Sequence, residues 1–95
     1  MSANLSEPSR AVLRSLVDAH NRQPQGRFTI SRAINRRGTI RVSHPECNLS
    51  VFPDILNELI DARLVKLAAE EQGFQVLEIT LRGFDHDAHM EQPHV

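Results

Sequence analysis

Ser31, Arg32, Asn35 and Arg36 are spaced so that on a helix they share one outward face, and all four types can read base edges. Arg22, Arg27, Arg37 and Arg41 surround them, and arginine grips phosphates bidentately. Between Asp18 and Glu46 the chain holds six arginines and no acid. A patch of that density calls for a polyanionic partner, with a solvated basic helix as the bland alternative. Histidine and cysteine spacing raises a second chemistry. His44-x-x-Cys47 and His86-x-x-His89 have the gap that zinc sites use, but three histidines with one cysteine is an uncommon set. A polar loop and a tail account for them better, so no metal or other cofactor is expected. Cys47 has no positioned base to activate it, and the four glycines are too scattered to cradle a phosphate. The chain is not expected to be an enzyme.

The charge is divided along the sequence. Residues 1–45 hold eight arginines against Glu7 and Asp18, or +6, while residues 46–95 hold Arg63, Lys66 and Arg82 against ten acids, or −7. Such a chain is self-complementary, and a homodimer or head-to-tail assembly follows naturally. Ninety-five residues with 40% hydrophobic content suit one small globular domain. No apolar run approaches the ~20 residues of a membrane span. MSANLSEPSR lacks a signal pattern, and a lone Cys47 fits a reducing compartment, so a cytoplasmic location is expected.

The positioning elements follow from periodicity. Ser6 caps a first helix whose apolar face is Val12, Leu13, Leu16, Val17 and His20, ended by residues 21–26. A second helix is predicted over Thr29 to Arg37, with Ile30, Ala33 and Ile34 inward and Gly38 as its stop. A short strand, Thr39 to Val42, and a polar loop, Ser43 to Leu49, come next. A third helix is predicted from Ser50, with Pro53 in its first turn and Ile55, Leu56, Leu59 and Ile60 as its stripe. Leu64 to Ala69 and Phe74 to Leu81 then alternate as a hairpin about Gly73, closed by Arg82-Gly83. Residues from about 84 form a short helix or a tail.

Ser50-Val51 through Leu64-Val65 resembles the third helix and first wing strand of small bacterial winged helix regulators, and Ile79-Thr80-Leu81-Arg82-Gly83 resembles the close of their second wing strand. Thr29 to Asn35 is similar, over seven residues, to the recognition helix of lactose-repressor-type regulators. The resemblance implies an α+β winged helix fold of three helices and a C-terminal β-hairpin wing, one domain over 1–95 with flexible tails at 1–5 and about 84–95. It implies a sequence-specific double-stranded DNA-binding regulator of transcription. Arg32, Asn35 and Arg36 would contact bases, with Ser31 on the same face. Arg22, Arg27, Arg37 and Arg41 would neutralise phosphates, and Arg82 and Gln72 would touch the backbone from the wing. One feature resists this picture. The third helix, which usually enters the groove, presents Asp54, Glu58 and Asp61. The alternative is a winged helix adaptor or inhibitor whose arginine face docks on an acidic protein partner.

Overall fold

Phe28 and Ile30 alternate with Thr29 and Ser31, and this period of two decides the first half of the fold. In the computed structural model, which describes residues 5–31, 34–71 and 73–91, Phe28–Ser31 is a strand. The element order is α1 (Glu7–Arg22), β1 (Phe28–Ser31), β2 (Ile40–His44), β3 (Cys47–Val51), α2 (Pro53–Asp61), β4 (Val65–Glu71), β5 (Phe74–Ile79) and α3 (Leu81–Glu91). The five strands form one antiparallel sheet in the order β3-β2-β1-β5-β4.

The winged helix expectation is therefore overturned, although the fold is α+β. In place of a second helix over 29–37 stands β1, which pairs with β2 on one side and β5 on the other. Thr29 and Ile30 are β-branched, and burying Phe28 and Ile30 together needs an extended chain. The polar loop expected over 43–49 is instead a hairpin. His44 faces Cys47 across a two-residue turn at Pro45–Glu46, and Val42 faces Leu49. Ser50 belongs to β3, so α2 starts three residues later than expected, with Phe52 at its N-cap position. The long first helix and the hairpin form as read, except that β4 runs on to Glu71 and β5 stops at Ile79, so that Leu81 starts α3.

Arg82-Gly83 does not close a strand but lies in the first turn of α3. Thr80 makes that start: its hydroxyl accepts the Gly83 N–H at 3.0 Å and donates to the Arg63 carbonyl at 2.7 Å. A side chain at 83 is excluded, because its Cβ would meet the Leu64 carbonyl oxygen.

One face of the sheet carries the core. Phe28, Ile30, Ile40, Val42, Val51, Val65 and Leu77 pack there against Leu13, Leu16 and Val17 of α1 and Leu56 and Leu59 of α2. Burying this layer supplies most of the stabilisation, at roughly 25 cal/mol per Å² of apolar surface. The opposite face presents Thr29, Ser31, Arg41, Ser43, Asn48 and Ser50, which alternate with the core residues, and on β5 the buried Val76 opposite Thr29. An antiparallel sheet tolerates one such wet face.

Candidate nucleic-acid interface

The link between β1 and β2 holds the densest part of the basic patch. Its last residues, Asn35 to Thr39, form a closed turn built by one side chain. Asn35 Oδ1 accepts the N–H groups of Arg37 at 2.9 Å and Thr39 at 3.0 Å, and its Nδ2 donates to Thr39 Oγ1 at 2.7 Å. Two backbone bonds complete it: the Asn35 N–H donates to the Thr39 carbonyl at 2.9 Å, and the Gly38 N–H to the Asn35 carbonyl at 3.0 Å. Gly38 sits at φ +81°, where glycine alone is unstrained. Local asparagine bonding of this kind competes with helix, which is a further reason why the segment is a turn. Arg36 and Arg37 stand exposed at its tip.

The expected site residues are thereby separated. Arg41 projects from the open face of β2, one residue from the arm end of the strand. Ser31 is half-buried at the end of β1 on the same face, so these two join Arg36 and Arg37 at one end. Arg22 in the last turn of α1, Arg27 before β1 and Arg82 in α3 lie at the other end of the strands. Arg32 and Gln72 lie outside the described residues. The single outward helical face imagined for Ser31, Arg32, Asn35 and Arg36 does not exist. Asn35 in particular is no base reader, since its amide is engaged in closing the turn. Among the described residues, Arg36, Arg37 and Arg41 form no ion pair.

Two acids of the other half, Glu58 and Asp87, have structural work. Glu58 on α2 accepts the Ser6 N–H at 2.8 Å and the Ser6 hydroxyl at 3.1 Å, which ties α2 to the start of α1. The backbone bond from Ser6 holds the Glu58 carboxyl below the usual range, with the nearby serine hydroxyls adding to it against a smaller desolvation. Asp87 of α3, only 2% exposed, pairs with Arg14 of α1 at 3.2 Å, and Arg14 also reaches Asp18 at 3.6 Å. These long-range roles leave no mark in the sequence. The one signal for Glu58 is that it breaks the expectation of a groove-reading helix.

The histidines and the cysteine do not assemble. His44 is buried and stacks on Phe28 at 4.4 Å between ring centroids, and its Nδ1 accepts the Glu46 N–H. Gly26 is required beside it, because a Cβ there would come 2.7 Å from His44 Nε2. Cys47 is half-buried; burial, and secondarily the charge of Glu46, pushes its thiol up, away from the nucleophilic thiolate. His86 is half-buried in α3, and the His89 side chain lies outside the described set. Among the described residues no three His, Cys, Asp or Glu side chains group to hold a metal. His20, half-buried, packs against Phe84 at 4.9 Å between ring centroids in a tilted arrangement that joins α1 to α3. Phe28 is buried, whereas Phe52 is 57% exposed. A cleft of about 600 Å³ lies between the α1–β1 connection and the β4–β5 hairpin, lined by Gln25, Arg27, Ala68 and Glu78 among others. No described helix is long and apolar enough to cross a membrane. No protein-family model, curated protein or solved structure matches the chain.

Proposed function

We propose that this chain is a double-stranded DNA-binding protein, acting in transcription regulation, that engages the duplex through the β1–β2 arm instead of a recognition helix. The Asn35 turn carries this reading. It presents two adjacent arginines at a fixed point, next to Arg41 on the wet face of the sheet, with no carboxylate neutralising them among the described residues. Holding the loop before binding lowers the ordering cost of each contact. Arginines on a strand or ribbon can enter a groove as a helix does, and contacts to phosphate fix position while base contacts add specificity. The acidic residues of α2 and α3 then lie on the helical layer, away from the open face, which removes the conflict raised by Asp54, Glu58 and Asp61.

Duplex binding should fall steeply with salt. The Arg36→Ala/Arg37→Ala variant should lose affinity on the order of tenfold to a hundredfold. Its slope of log affinity against log salt should flatten by about 2, one step per lost phosphate contact. Arg22→Ala, at the other end of the strands, should change affinity far less. Titration of a fluorescent duplex at several salt concentrations measures all three. Unchanged affinity and slope in the double variant would sink the assignment. Absence of any duplex binding, with arm-dependent capture of an acidic protein, would favour the adaptor reading.

A further inference from the structure

The sheet has two edges, and they are built differently. β4 carries Lys66 and Glu70, and its register against β5 shifts between Leu67 and Ala69. Charges and a bulge both discourage a further strand from pairing. β3, Cys47-Asn48-Leu49-Ser50-Val51, has no charge, no proline and an unbroken register against β2. Among the described residues no strand pairs with its outer side.

The turn length fixes which backbone groups face outward. A two-residue turn makes His44 and Cys47 a hydrogen-bonded pair, and such pairs alternate along an antiparallel ladder. Cys47, Leu49 and Val51 therefore bond to β2. Asn48 and Ser50, both exposed, direct their N–H and C=O groups away from the sheet.

We infer that β3 is the docking edge for a second copy of this chain, paired antiparallel about a two-fold axis at Leu49. In that register Leu49 faces Leu49, Asn48 faces the second copy's Ser50, and Cys47 faces its Val51. Polar residues meet polar ones on the wet face and apolar ones meet on the core face, with no like charges opposed. Asn48 and Ser50 become the hydrogen-bonded pair, so the outward groups of both copies are satisfied. Phe52, exposed at the end of β3, comes against the second copy's Pro45–Glu46 turn and loses its contact with water. Charge is complementary as well. Arg41 of one copy and Glu46 of the other stand diagonally across Ser50 and Asn48, with Cα atoms about 12 Å apart by strand spacing. The product is one ten-stranded sheet with both Arg41 side chains on its open face.

This assignment does not depend on a DNA ligand, and its test is the solution mass. The wild type should sediment at twice the 10.7 kDa chain mass and dissociate on dilution. Asn48→Lys/Ser50→Lys opposes lysines across the axis and should be monomeric, as should Asn48→Glu/Ser50→Glu. An equimolar mixture of the two should form a heterodimer, with circular dichroism showing that each is folded alone. A monomeric wild type overturns the inference, including the case where β3 takes a strand from another protein. Dimers surviving in both charged variants overturn it too, as does a mixture that stays monomeric.

Discussion

In the helical layer the charges hold elements together, whereas on the β1–β2 arm they have nothing to hold. Glu58 fastens α2 to the cap of α1, and Asp87 fastens α3 to Arg14 of the same helix. Arg36 and Arg37, by contrast, are displayed by a turn whose own bonds come entirely from Asn35, Thr39 and the backbone. Both regions are charged, yet one charge set is part of the fold and the other is surplus to it. Surplus charge at a fixed position is what an external anion can use. Of the acids in the second half of the sequence, Glu58 and Asp87 are such fastenings, while Asp54 and Asp61 stand exposed.

Three substitutions can break or sharpen that contrast. Arg14→Ala should have the largest effect on stability, because it takes an ion-pair partner from a carboxylate that is 2% exposed. A fully buried pair would lose more, but Arg14 is 39% exposed, so about 2 kcal/mol is expected from urea unfolding. A loss as small as that of a surface arginine would mean that Asp87 does not need this partner.

Asn35→Ala should cost about 1–2 kcal/mol, since it removes a local turn with three side-chain bonds but little burial. It should also weaken duplex binding while leaving Arg36 and Arg37 in place, because the arm must then be ordered on contact. If affinity is unchanged, the turn does not preorganise the arm.

Glu58→Gln should show the smallest effect, and one that depends on pH. The folded carboxyl titrates below its ordinary value of 4.5, so its contribution is complete above that pH and disappears as pH falls through the lower, folded value. Thermal melts of wild type and variant should therefore differ at neutral pH and converge in acid. Equal offsets at both ends would remove Glu58 from the fastening role.

The first helix was legible because Ser6, Pro8 and a stripe of five apolar-side positions agree on it. The 65–79 hairpin was legible because Leu77 and Ile79 alternate with Glu78 about a glycine at φ +79°. Thr29 to Arg37 was not. Ile30, Ala33 and Ile34 fit a helical stripe as well as Phe28 and Ile30 fit a strand, and a window of nine residues cannot arbitrate. The neighbours decide, because β2 and β5 offer β1 ladders on both sides that a helix there would leave unmet. The arginines were visible as a composition, but their grouping was not.

From its residues alone, the chain determined an α+β domain, the long capped helix, the β4–β5 hairpin and a basic first half, since these rest on local pattern and on charge that no fold can hide. Tertiary structure decided that 28–31 is a strand, that Asn35 closes a turn and that Glu58 caps a helix 52 residues away. It also decided which arginines stand together. Those outcomes depend on which partner a hydrogen-bonding group or an apolar side chain meets across the fold, and nearest neighbours in sequence do not carry that information.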